Sequence, residues 1–279
     1  MMRMAYTVAA PDGGAPPLAL HGDFRRNLAL VREAGFDGVE LYVRNPARLD
    51  PSAIARQIDD AGLAMPAVCT GEVFGTDGLS LSAEDQEVRR RALDRTRRII
   101  AFAAHWRAAV NIGRLRGPIP PGPAADSALA RVEEAFRALA EDAAGYGVTM
   151  ILEPINRHEL NFITTTTDGL GWVRRIDHPS FQLMLDLYHV HLEDPAVAAS
   201  FIASRGVLRH VHLSDSNRLA PGWGHLNLKE VLATLQALGY AGWVAVEVRQ
   251  VPTPEAAVSQ SGRHLRELLV SLATQPPGT

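Results

Sequence analysis

The sequence predicts an α/β fold, a (β/α)8 TIM barrel, from three observations. Strand-like runs alternate with amphipathic helical stretches throughout, the pattern of parallel βαβ units. Eight such pairs follow one another with no domain-sized linker, in a chain of 279 residues, a length that α/β barrels commonly occupy as one domain. Four strand-like runs in the second half each end on a residue able to ligate a metal. They recur at about one βα repeat, roughly 30 residues when a barrel of about 250 is divided in eight.

The elements follow in order. Strands are expected at 4–9, 37–42, 64–69, 108–112, 148–152, 181–185, 207–212 and 243–247. Helices are expected at 24–34, 51–61, 83–105, 126–145, 167–176, 195–204, 227–238 and 260–272. Gly35, Gly62, Gly147 and Gly239 come just after four of these helices, where a left-handed residue closes the last turn. After the first strand, Pro11-Asp12-Gly13-Gly14-Ala15-Pro16-Pro17 reads as a rim loop. Its glycines lack the spacing and immediate helix of a phosphate-binding turn, which argues against an open doubly wound sheet. Gly117-Pro118-Ile119-Pro120-Pro121-Gly122-Pro123 reads as a rigid loop after strand four, either a cover for the site or an inert excursion. Residues 1–279 are expected to form a single barrel domain with a frayed tail at 275–279.

Composition narrows the chemistry. A formal charge of −3 gives no general pull toward nucleic acid or an anionic membrane, and a small-molecule partner fits better. Cys69 is the only cysteine, so an intrachain disulfide and a cysteine-based zinc site are excluded. Lys229 is the only lysine, just inside a predicted helix, which argues against Schiff-base chemistry in the pocket. The N-terminus runs directly into a strand without the apolar stretch of a signal peptide, and no membrane span follows. The expected compartment is the cytoplasm.

The ligand candidates are Glu153 after Val148–Leu152, Asp186 after Phe181–Leu185, His212 closing Val207–Val211, and Glu247 after Trp243–Val246. Active sites of barrels lie at the C-terminal strand ends, where all four fall. Alternation places Ile151 with Glu153, Met184 with Asp186, His210 with His212 and Ala245 with Glu247 on shared faces. Two glutamates, an aspartate and a histidine form a mixed oxygen and nitrogen set suited to one divalent ion, Mn²⁺, Co²⁺, Mg²⁺ or Zn²⁺. The bland alternative has each acid capping a helix or solvating a loop.

The segments Glu153-Pro154-Ile155-Asn156-Arg157-His158-Glu159, Asp186-Leu187-Tyr188-His189 and His212-Leu213-Ser214-Asp215-Ser216-Asn217-Arg218, with Pro221-Gly222-Trp223-Gly224 and Glu247, carry a resemblance. Together they resemble the xylose-isomerase-like superfamily of sugar isomerases and epimerases, and within it the D-tagatose 3-epimerase and D-psicose 3-epimerase group. The resemblance is strong in the second half and mainly architectural in the first. It implies that Glu153, Asp186, His212 and Glu247 bind one divalent ion, usually Mn²⁺. It further implies that Glu159, His189 and Arg218 hold the carbonyl end of a sugar, and that the chain forms a homodimer or homotetramer. Removing a proton beside a ketone generates an enediolate, whose charge calls for a Lewis acid and nearby donors. Epimerisation also needs acid–base groups on opposite faces, a role that Glu153 and Glu247 are expected to share.

Other residues carry open readings. Arg116 or Arg114, just past strand four, could bind a carboxylate by a two-pronged hydrogen bond, which keeps a keto-sugar acid beside a neutral ketose as substrate; solvent exposure is the alternative. Arg157 suits a supporting ion pair better than substrate contact, His210 a hydrogen-bonded place beneath His212, and His191 a structural one. Glu40 and Glu72 are read either as lining the pocket mouth or as solvated. The rival reactions are aldose–ketose isomerisation and dehydration or isomerisation of inositol-derived ketones. An endonuclease IV-like enzyme lacks early-strand histidines at the ends of strands three and four, and a silent sugar-binding barrel would have lost a ligand.

Overall fold

The computed structural model describes residues 2–274. Eight strands, β1 Arg3–Ala9, β2 Gly38–Tyr42, β3 Ala67–Cys69, β4 Ala109–Ile112, β5 Met150–Leu152, β6 Phe181–Asp186, β7 Leu208–Leu213 and β8 Trp243–Val246, close into a parallel barrel in sequence order. All eight expected strands are present, and β8 pairs back to β1 through Arg3↔Trp243 to Tyr6↔Val246. The expected frayed tail at 275–279 lies outside the described residues.

The outer helices are α1 Phe24–Glu33, α2 Pro51–Asp60, α3 Gly71–Gly75, α4 Gln86–Ala103, α5 Ala124–Gly145, α6 Thr166–Ile176, α7 Leu187–Glu193, α8 Val197–Ala203, α9 Leu228–Ala237 and α10 Pro254–Ala273. Side-chain caps start them: Asp23, Asp50 and Asp85 accept backbone N–H groups, and Thr165 with Asp168 forms a capping box. Gly35, Gly62, Gly147 and Gly239 all have positive φ and close the preceding helices as the sequence predicts. Two short helices, α3 and α7, were not expected. The last helix begins at Pro254 rather than 260, where Thr253 caps it and proline occupies the first turn.

Most apolar side chains pack between strands and helices in one large cluster. A smaller one, Ala67, Ile151 and Met184 with Ala109 against it, fills the barrel interior below the C-terminal rim. Residues sharing faces with Glu153 and Asp186 thus form the packed layer beneath them. Among the described residues, no helix is long and apolar enough to cross a membrane.

Candidate active site

Glu153, Asp186, His212 and Glu247 converge at the C-terminal rim, each buried, with one donor atom apiece within 4.8 Å of all the others. His212 Nδ1 lies 3.5 Å from Glu247 Oε2, 3.7 Å from Glu153 Oε1 and 3.9 Å from Asp186 Oδ2. Register explains part of this: Asp186 and His212 are direct partners across β6 and β7, and His212 is level with Ala245 two residues before Glu247. His212 Nδ1 is buried without a hydrogen-bond partner, and Asp186 Oδ2 has only the Arg218 guanidinium, 2.6 Å away. Buried polar atoms are normally satisfied, so an orphaned imidazole nitrogen facing three buried carboxylates fits a divalent ion.

The first half of the barrel aims this cluster. Glu40 Oε2 is 2.9 Å from His212 Nε2 and 2.7 Å from His210 Nε2, so His212 turns Nδ1 toward the carboxylates. Glu40 is therefore not at the pocket mouth. It lies within β2, fully buried, because positions 38, 40 and 42 alternate into the barrel. Tyr42, next on that face, donates its phenol to Glu247 Oε1. Asn111 on β4 donates to Glu153 Oε2 at 2.7 Å. A Cβ at Gly113 would lie 2.5 Å from that oxygen, so a side chain there would displace Glu153. Tyr42 and Asn111 escaped sequence reasoning, although their inward phase in β2 and β4 was a usable signal.

Electrostatics follow from this packing. Burial would push His212 down, but Glu40 and Glu247 outweigh it and hold the imidazole well above its ordinary range. Burial likewise raises Glu247, yet His212 and Arg218 overrule it and bring the carboxyl to about 2. Glu153 is also lowered, burial being outweighed by His212 and His189. Both glutamates are therefore carboxylates at neutral pH.

Arg218 and His189 border the cluster. Arg218 Nη1 is 2.6 Å from Asp186 Oδ2, its Nη2 contacts Glu247, and its guanidinium lies 5.0 Å from the Tyr188 ring centre. Its backbone has φ 62°, left-handed and rarely populated by non-glycine residues. The loop holding it winds around Asp215, whose carboxylate accepts N–H groups of Ser216, Gly222 and Leu226 at 2.8, 2.9 and 3.0 Å. Asn156 Oδ1 accepts the His158 N–H, which leaves its amide nitrogen 2.7 Å from His189 Nδ1. His189 Nδ1 is then the acceptor and Nε2 carries the proton, 3.9 Å from Glu153 Oε1 and 3.8 Å from Asp186 Oδ2.

A cavity of about 350 Å³ opens above these groups. Glu153, Glu247, Glu159, His189 and Arg218 line it, together with Asn111, Tyr42, Cys69, Glu72, Arg114 and rim residues 14–18. Loop 117–123 does not line it. Arg116 requires correction as a substrate ligand. It is fully buried, with Nη1 donating to the carbonyls of Gly113 and Glu153 at 2.8 Å and Nη2 to those of Phe162 and Ile163 at 3.2 and 3.0 Å. Its fork is consumed by backbone, so no face is left for a carboxylate. Arg157 makes the expected ion pair, 2.6 Å from Glu193. His210 is buried beneath His212 as expected, and His191 stands beside His225, 6.2 Å between ring centres.

Residues 28–268 match the family profile described as xylose isomerase-like TIM barrel. The chain is 30% identical over 228 residues to an L-ribulose 3-epimerase of Mesorhizobium japonicum, covering 81% of this chain and 75% of the relative. It is 29% identical over 231 residues to a 3-dehydro-D-guloside 4-epimerase of Escherichia coli, covering 78% and 84%. A solved L-ribulose 3-epimerase structure superposes with a TM-score of 0.80 over 100% of both chains at 23% identity, a likeness of fold.

Proposed function

The chain belongs to the xylose isomerase-like TIM barrel family, and from that premise we propose that it is a divalent-metal-dependent epimerase. It would invert the carbon beside the ketone of a ketose or keto-sugar acid. The observation that carries this reading is the convergence of four buried donor atoms, the orphaned His212 Nδ1 among them, beneath a cavity lined by Glu153 and Glu247. Relatives named L-ribulose 3-epimerase and 3-dehydro-D-guloside 4-epimerase agree with it, since both names describe inversion next to a carbonyl carbon.

Glu153, Asp186, His212 and Glu247 would hold the ion, Mn²⁺ being the first to try, and when bound it would supply Lewis-acid stabilisation of negative charge on the substrate oxygens. The remaining work belongs to side chains. Glu153 and Glu247 rise from β5 and β8 with two strands between them, and flank the substrate carbon. One, as the carboxylate, removes its proton. The other, having taken up a proton from water through the open cavity, delivers it to the opposite face, and the balance is restored when the first releases its proton to water. The His189 Nε2–H provides a donor where charge develops on the former ketone oxygen, and the positive charge of Arg218, held beside it by Asp186 and Glu247, favours that charge. Glu159 accepts from a substrate hydroxyl at the wall. Asn111 and Tyr42 hold the two catalytic carboxylates so that neither must reorganise during the step.

The test is proton NMR in D₂O of Mn²⁺-loaded protein with a panel of ketoses and keto-sugar acids. Deuterium at the carbon next to the ketone, with an epimeric product, supports the proposal. Label at C1 or C2 with an aldose product would replace it with an isomerase, and no exchange with any compound would refute carbon-acid chemistry on this panel.

A further inference from the structure

The 3-10 turn Arg114–Arg116, which follows β4, carries two arginines with opposite fates. Arg116 is the anchor. Beyond its four carbonyl bonds, Leu81 and Ser82 donate backbone N–H groups to the carbonyls of Leu115 and Arg116, each at 3.1 Å, so the turn is tied on both sides. Arg114 leaves the same turn in the other direction. It is exposed, lines the cavity that Glu153 and Glu247 floor, and places its guanidinium 5.7 Å from the Phe74 ring centre on α3.

Neighbouring arginines are committed to acids. Arg218, the other arginine of the cavity wall, is bound to Asp186 and Glu247, while Arg44 and Arg95 both pair with Asp77. Arg114 has no ion-pair partner among the described residues. Glu72, an acid lining the same cavity, turns toward the rim loop: its Oε1 accepts the Gly14 N–H at 3.3 Å, and its Oε2 is buried. An exposed guanidinium with an unused fork thus stands on an anchored turn and lines the cavity above the acid cluster.

We propose that Arg114 forms an oxyanion-binding subsite on the α3 side of the cavity, so that the preferred substrate carries a carboxylate or phosphate group away from its ketone. A planar guanidinium recognises both groups through paired charge-assisted hydrogen bonds. The inference rests on the epimerase reading for the sugar portion of the ligand, and on Arg114 alone for the anionic portion.

Calorimetric titration separates the two. Mn²⁺-loaded wild type, Arg114→Ala and Arg114→Lys are titrated at low ionic strength with a matched set: a neutral ketose, the corresponding keto-sugar acid and the corresponding ketose phosphate. The expected result is at least about tenfold tighter binding of one anionic compound than of the neutral ketose, lost in Arg114→Ala and partly retained in Arg114→Lys. Whether acid or phosphate shows the advantage identifies the source of the oxyanion. Equal affinities across the set, or an advantage that survives Arg114→Ala, would overturn the subsite. Failure of the epimerase reading is read separately, as absence of deuterium exchange by wild type with compounds that bind.

Discussion

The two halves of the barrel contribute different things to one site. Glu153, Asp186, His212 and Glu247 lie within a residue of the C-terminal ends of β5 to β8 and meet at the rim. Strand β2 contributes Glu40 and Tyr42, which reach across the barrel interior to His212 and Glu247, and β4 contributes Asn111, which holds Glu153 beyond the neighbouring β5. Glu40 and His212 are 172 residues apart in sequence yet 2.9 Å apart in space. One half supplies donor atoms, and the other restricts their orientation. Because a ring of carboxylates repels itself, such restriction decides whether the donors point at a common centre.

This division makes graded predictions. Removing a donor should have the largest effect: His212→Gln should weaken Mn²⁺ binding beyond the roughly 100-fold ceiling typical of an outer partner, with circular dichroism unchanged. A mutant that binds metal as tightly as wild type would break the distinction. Removing an aiming group should cost less. Glu40→Gln is expected to lower Mn²⁺ affinity by about 10–100-fold, with activity recovering at high metal concentration. If excess metal fails to rescue it, Glu40 does more than orient His212.

Tyr42→Phe deletes one donor to a charged carboxylate and should lower kcat by about tenfold, with metal affinity nearly unchanged. A change confined to metal affinity would move Tyr42 from aiming a base to supporting a ligand. The smallest effect concerns pH. His212 has a raised folded-state pKa, so the metal-free native state binds more protons than the unfolded state between the ordinary histidine range and that raised value. The stability contribution is fully present below about pH 6.5 and is lost as pH rises through the folded pKa, by at most about 1.4 kcal/mol per pH unit. Thermal melts of metal-free protein should show this decline above neutral pH, and Mn²⁺ should suppress it.

The ligand half was the more legible in sequence because each donor sits at a strand end, where a polar residue interrupts an apolar run. The aiming half was harder to read. Glu40 looks like a strand-end residue until alternation places it with Tyr42 on the inward face, and its two histidine partners come from the distant β7. Arg114 and Arg116 illustrate a different limit. Their spacing is visible, but the direction each takes from a three-residue turn depends on four backbone carbonyls, that of Gly113 just before the turn and those of Glu153, Phe162 and Ile163 after β5. The missed helices α3 and α7 have only five and seven residues, too short to establish a helical period.

The most direct test concerns the opposed pair. Metal-loaded Glu153→Gln and Glu247→Gln would each be incubated in D₂O with both epimers of the substrate, and exchange at the inverted carbon followed separately from inversion. Two-sided acid–base chemistry predicts that inversion is nearly abolished in both variants. Each would still exchange deuterium into one epimer, and the two variants would select opposite epimers. Sustained inversion by either metal-loaded variant would contradict the account.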